Sequence, residues 1–133
     1  MIWNDIILRI DLTNEEIQKQ LANSFSVGID QVVVSEAIEN VDDFLAVTCI
    51  RNRVQGDYNT LLNLYLDFQP SDTFDCLKKI SKNLHTDILT SDESTADPYG
   101  MLLIGENGEI EKVRFLANKL DDKDEYHLDG KSV

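Results

Sequence analysis

The sequence predicts an α+β fold: a mostly antiparallel sheet with two helices on one face, arranged as a ferredoxin-like two-layer sandwich. Three observations predict it. Short apolar segments of period two recur along the chain, two segments with apolar residues every three or four positions interrupt them, and each of these sits between strand segments at the spacing of a βαβ crossover.

The first strand alternates strictly, with Ile6, Leu8, Ile10 and Leu12 pointing one way and Asp5, Ile7, Arg9 and Asp11 the other. Thr13-Asn14-Glu15-Glu16 follows, a capping box in which Thr and the Glu three residues on satisfy each other's free N–H groups. Ile17, Leu21 and Phe25 then repeat every four residues, giving a helix of about three turns that ends near Gly28. Ile29 to Ile38, with the β-branched run Val32-Val33-Val34, reads as a strand; an acidic turn leads to another from Phe44 to Val54.

The second half echoes the first. Leu62, Leu64, Leu66 and Phe68 lie 56 residues after Ile6, Leu8, Ile10 and Leu12, and Leu77 lies 56 after Leu21. Ser71 as cap and Asp72 open a second helix carrying Phe74, Leu77, Ile80 and Leu84. Beyond the helices the offset becomes 57, as in Asp30 with Asp87 and Leu45 with Leu102. Half-repeats 5–54 and 58–116 are consistent either with a βαββ duplication or with convergence on one pattern. Gln55-Gly56-Asp57 joins the halves as the turn of a long hairpin, and Asn107-Gly108 suits a two-residue turn with positive φ at both positions, returning through Ile110 to Leu116. Residues 1–118 thus form one domain and 119–133 an acidic tail. Asp121-Asp122-Lys123-Asp124-Glu125 has no apolar face and is expected to fray, with Tyr126 and Leu128 able to dock as a short extra strand.

One sheet with helices on one side leaves its other face open. Ile7, Val33, Val47, Asn63 and Tyr65 are the candidates for that face, which either the terminal segment or a docking partner covers.

The chain has 133 residues, 42% of them hydrophobic, which is enough for one core; 12 Lys and Arg stand against 25 Asp and Glu, a net charge of −13. Such a surface repels nucleic-acid phosphates and anionic lipids and favours a basic partner. No apolar run approaches the length of a membrane span, and the acid within MIWNDIILRID argues against a signal peptide or anchor. Cys49 and Cys76 lie in apolar-patterned segments without CxxC spacing, the pattern of free thiols in a reducing cytosol.

No catalytic constellation is legible. His85 falls at a helix end, where a cation is favourable, and His127 in the tail; a Cys49–His85 pair would need a thiol that the strand pattern buries. Asp92-Glu93 with Asp97, and the 121–125 run, lack the ligand order of a calcium loop, and no Cys/His spacing suits zinc. No glycine loop cradles a phosphate, so neither cofactor nor metal is expected. Arg51, Arg53, Lys112 and Arg114 form either a positive stripe or cross-strand pairs with acids. The acidic connections 36–43 and 92–97 are equivalent if the halves are pseudo-symmetric, and would then share an electronegative edge.

A small, acidic single domain of this pattern resembles the immunity proteins of bacterial polymorphic-toxin and contact-dependent growth inhibition systems. The likeness covers the whole chain and rests on size, charge and organisation, with Asp97-Pro98-Tyr99-Gly100 before the apolar Met101–Ile104 strand as its local trace. It implies a cytoplasmic protein that is not an enzyme and binds a basic toxin domain, carboxylates standing in for substrate phosphates. On that reading Glu36, Glu39, Asp42 and Asp43, or Asp92, Glu93 and Asp97, are the contact acids, with Tyr99 as an aromatic anchor. This leaves the oligomeric state open. The alternative is a type III secretion chaperone, a homodimer that wraps an unfolded effector segment; those begin with a helix, and this chain begins with a strand. An enzyme of unfamiliar type, with a pocket beside His85, ranks third.

Overall fold

The computed structural model describes residues 2–70 and 72–129, with side chains from residue 4 onward. Its elements are β1 (Ile2–Leu8), α1 (Asn14–Phe25), β2 (Val32–Ser35), β3 (Val47–Arg53), β4 (Gln55–Gly56), β5 (Thr60–Leu66), α2 (Thr73–Leu84), β6 (Ile88–Ser91), β7 (Gly100–Ile104), β8 (Ile110–Arg114), α3 (Ala117–Lys123) and β9 (Glu125–Tyr126). The fold is α+β, as the patterning predicts, with seven strands in one sheet in the order β2-β3-β5-β1-β6-β7-β8. Every neighbouring pair is antiparallel except β2 with β3. Among the described residues there are three α-helices where two were expected, because part of the segment expected to fray as a tail forms α3.

Period two decides which side chains meet the helices. Ile6, Leu8, Leu62, Leu64, Leu66, Ile88 and Ile104 pack against Ile17, Leu21 and Phe25 of α1 and Leu77 and Ile80 of α2 in one continuous core. Val47, expected on the opposite face, belongs to this core and is fully buried: β3 starts at Val47, which faces Leu66 across the ladder and takes its orientation. The Thr13 capping box forms as expected, with Glu16 N donating to Thr13 Oγ1 at 3.1 Å and Thr13 N to Glu16 Oε1 at 2.9 Å. The first helix stops earlier than Gly28. Ser26 takes a left-handed φ of 56°, and the Val27 amide reaches back to the Ala22 carbonyl at 3.0 Å, closing the last turn. The cap of α2 falls one residue later than expected: Asp72, read as the opening of the helix, is the cap and accepts from Asp75 N at 3.2 Å, while Ser71, the expected cap, lies outside the described residues. At Asn107-Gly108 only Gly108 has positive φ, 90°, and the Gly108 and Gly105 amides bond the Gly105 and Glu109 carbonyls. The connection is therefore a three-residue loop with a glycine bulge, which lets Asn107 keep an ordinary backbone angle.

The β3–β5 hairpin runs in register from Arg53 opposite Thr60 to Val47 opposite Leu66. At the centre of the sheet Ile6 faces Leu62, its counterpart 56 residues on, so β1 and β5 are locally two-fold related. That relation ends at the next strand. β6 lies directly beside β1, whereas its counterpart β2 is displaced to the edge and β3 takes the place beside β5. The acidic connections are consequently not equivalent: 36–46 is a crossover that brings β3 back parallel to β2, and 92–99 is a hairpin loop.

The second face is covered in two ways. Ile7, Leu89, Met101, Val113 and Phe115, with Tyr58, form a smaller core beneath Leu120, Tyr126 and Leu128 of the C-terminal segment. Tyr126 docks as part of β9, parallel to β4, and Leu128 bridges Phe115. Asp57 anchors this strap, its backbone N–H donating to the Tyr126 carbonyl at 2.9 Å and its carboxylate accepting from Leu128 N at 3.1 Å. The approach is close enough that a side chain on Gly56 would meet the Tyr126 backbone at 2.6 Å. On the β2–β3 half, Phe44 at the end of the crossover leans on Tyr65 with ring centroids 5.8 Å apart, and Asn52 donates to Asn63, which donates to Asp5.

Candidate partner-binding surface

The 92–99 loop opens at the end of the sheet where β1 begins and β5 finishes, and the crossover, which leaves β2 toward the opposite end, returns to that same end at Val47. β3 leaves its crossover opposite Leu66, and Ser91 enters its loop one residue past Thr90, which faces Ile6. Four strand steps separate β2 from β6, about 19 Å at ordinary strand spacing. The acids therefore lie in two groups that share no single edge, and within the crossover Asp42 and Asp43 come late, where it returns to β3, whereas Glu36 comes at its start, toward the opposite end beside Arg51 and the entry of α1.

Four of the eight residues that the sequence singles out are consumed by the fold. Asp92 is buried and accepts from Ser94 N at 3.0 Å and Ser94 Oγ at 2.6 Å. Asp97 accepts from Tyr99 N at 3.0 Å and takes a two-pronged contact from Arg114, 2.9 Å to Nε and 3.4 Å to Nη2. The Tyr99 hydroxyl donates to Asp121 at 2.5 Å, and its ring lies 5.5 Å from the Arg114 guanidinium carbon. Glu36 accepts from Arg51 at 3.4 Å. Arg51 also bonds the Leu12 carbonyl and lies 3.7 Å from Asp11, tying the start of the crossover to the entry of α1.

The other four are free. Glu39, Asp42, Asp43 and Glu93 are exposed and make no hydrogen bond or ion pair among the described residues. In the crossover they stand beside two apolar side chains that the sequence pattern does not single out, Ile38 and Phe44, which are 47% and 41% exposed. The sequence assigns them to the ends of the expected strands 29–38 and 44–54; the structure ends β2 at Ser35 and starts β3 at Val47, which leaves both in the crossover.

The basic residues do not form a stripe. β3 and β8 lie on opposite sides of the sheet, Arg51 and Arg53 pair with Asp11, and Arg114 pairs with Asp97. His85 caps α2 at a left-handed φ of 54°, 3.5 Å from Glu106, and His127 sits between Asp57 and Glu125 at 3.3 and 3.1 Å. Burial pushes the Cys49 thiol far up, so the thiolate that chemistry would need is suppressed. Among the described residues no cluster of His, Cys, Asp or Glu is placed to hold a metal ion, and no helix is long and apolar enough to cross a membrane.

The Asp92 and Asp97 carboxyls are held below the usual range, Asp92 by the Ser94 bonds and Asp97 by Arg114 and the Tyr99 amide. A carboxyl depressed in the folded state stabilises fully above its unfolded value of about 3.9 and loses that contribution as pH falls through its lower folded value. Acidification below about pH 3.9 is thus expected to loosen the 92–99 loop first. Amide exchange read by NMR checks this: the Ser94 and Tyr99 amides should lose protection before those of β1 and β5, and simultaneous loss would show that the turns add nothing local.

Comparisons of this chain with protein-family models, with curated proteins and with solved structures give no match.

Proposed function

We propose that this protein acts by binding and not by catalysis, as an immunity protein that neutralises a bacterial toxin by occluding a basic active-site cleft. The observation that carries this reading is the crossover loop, where Glu39, Asp42 and Asp43, without an ion pair or hydrogen bond among the described residues, stand beside exposed Ile38 and Phe44. Carboxylates steer a cationic partner from a distance, and apolar side chains that lose water at the centre of a contact supply holding energy. Glu93 extends the acidic surface at the same end of the sheet. Asp97 and Tyr99 are better assigned to shaping their own loop, and the aromatic anchor passes to Phe44.

A ferredoxin-like core is the finer reading of the fold. It is supported by the order β3-β5-β1-β6 of the central strands, by α1 between β1 and the β2–β3 unit, and by α2 between β5 and β6. β2 and the β7–β8 hairpin are then additions to it. Such an inhibitor would work in the cytoplasm of the cell that makes the toxin. The test is protection. A basic toxin domain encoded beside this gene should kill cells expressing it alone, spare cells that co-express this protein, and co-purify with it. Killing undiminished by this protein, with no co-purification, overturns the reading.

A further inference from the structure

The sheet extends farther than the helices that cover it. α2 packs on Ile88 and Ile104, and on the helix side of β7 and β8 Leu102 faces Lys112, a ledge that lines an open cleft along the flank of α2. The flank of α2 offers Phe74, 39% exposed, toward this ledge. The result is an open cleft of about 470 Å³ whose floor is Phe74, Leu77 and Leu102 and whose margin carries Thr90, Glu93 and Lys112. That size suits one or two side chains of a partner.

The geometry points to this cleft as a second contact site for the same basic protein partner, taking one large apolar side chain flanked by Lys or Arg. The inference rests on the binding function proposed above. Charge complementarity selects the occupant. Lys112 on the margin reaches Ser94 Oγ at 3.5 Å, while Glu93 has no partner among the described residues and Asp5 lines the adjoining hollow with Glu93; with −13 on the whole chain, a cationic segment is drawn to the Glu93 side while its apolar residue fills the floor. A second copy of this chain would bring another −13 against the first. Asn4 and Thr73 place the cleft at the end of the sheet to which the crossover returns at Val47. β2 and β7 are five strand steps apart, about 24 Å, which one partner's interface of ordinary size spans.

The probe is a hexapeptide with one tryptophan flanked by lysines, titrated into the isotope-labelled full chain and followed by amide NMR. Shifts are expected at Thr90, Glu93, Leu102 and Lys112, weakened about tenfold by Phe74→Ser and lost when the flanking lysines are replaced by glutamates. Glu93→Lys, on an exposed side chain that leaves the core intact, should weaken binding as well. No shift at these amides, equal binding of the glutamate peptide, or concentration-dependent shifts of the protein alone, which would assign the cleft to self-association, each overturns the inference. The crossover variant E39K/D42K/D43K should shift the same amides with the peptide and weaken its binding less than Glu93→Lys does. Peptide binding absent while toxin protection persists therefore defeats this inference alone, and protection absent while the peptide binds defeats the functional reading alone.

Discussion

Replacing Tyr58 by alanine is expected to destabilise the protein by about 4 kcal/mol, a large share of the roughly 5–15 kcal/mol that holds an ordinary domain together. Tyr58 is fully buried although it precedes β5 in a turn. Its ring belongs to the second-face core, the Arg9 guanidinium carbon lies over it at 4.4 Å, and its hydroxyl donates to Asp87 at 3.1 Å, the same oxygen that Arg9 contacts at 2.8 Å. One side chain thus joins the end of β1, the entry to β6 and the cover formed by Tyr126 and Leu128. Truncation leaves a cavity under the strap and removes one of Asp87's two donors. Tyr58→Phe keeps the ring and loses only the hydroxyl bond, for a cost of about 1 kcal/mol. Urea unfolding of both variants checks the pair. A loss below about 1 kcal/mol for the alanine variant would mean the strap closes the cavity on its own. The strap should also report the change, with the Leu116 and Asp129 amides, which bond across it, exchanging faster in Tyr58→Ala.

The sequence carries the facing of each strand well and the neighbours of each strand poorly. Ile6, Leu8 and Leu64 alternate with polar or second-face residues, so period two by itself assigns them to the helix side. The Gln55-Gly56-Asp57 turn, read as a hairpin, puts β3 beside β5, as found. Nothing periodic says that β2 lies outside β3 and parallel to it; that follows from the 36–46 crossover, long enough to carry the chain back along β2, whereas the likeness of the halves, in which β6 is the counterpart of β2, does not show it. Val47 departs from its expected face because alternation within β3 says only that Val47 and Cys49 point the same way; which way is decided by the register with β5, where they face Leu66 and Leu64. The strap is half legible: Tyr126 and Leu128 mark an apolar segment, but α3 has no side-chain cap and no buried residue, so its helix depends on docking.

The candidate site divides in the same manner. Composition and clustering find the acidic loops, but they cannot tell a free carboxylate from an occupied one when the partner is distant in sequence. Asp97 meets Arg114 across 17 residues and Tyr99 meets Asp121 across 22. Local turn chemistry is legible, since Asp92 with Ser94 and Asp97 with Tyr99 are both carboxylates bonding their own chain two residues on. That pattern separates acids that build a loop from acids that decorate one, and it assigns Asp92 and Asp97 to the first kind.

Reversing Glu39, Asp42 and Asp43 to lysine is expected to slow association with a basic toxin domain by about 10- to 100-fold at low salt. Each reversal moves the charge by two, so the triple variant goes from −13 to −7, and all of the change falls within one loop. None of the three makes an ion pair or hydrogen bond among the described residues, so unfolding by urea should be nearly unchanged. Location is separated from net charge by a control with the same total, Glu109, Glu111 and Asp122 to lysine, all exposed and away from the crossover. If the loop is the contact, the control slows association far less than the loop variant; if the two slow it equally, only the overall field matters and the loop reading fails. The difference should shrink as salt rises, because screening at about 0.15 M shortens the reach of these charges to about 8 Å. What persists at high salt then measures the apolar part of the contact. Phe44→Ala, which removes a side chain leaning on Tyr65, should leave the association rate alone and speed dissociation, because a short-range contact forms only after the charges have brought the partner in.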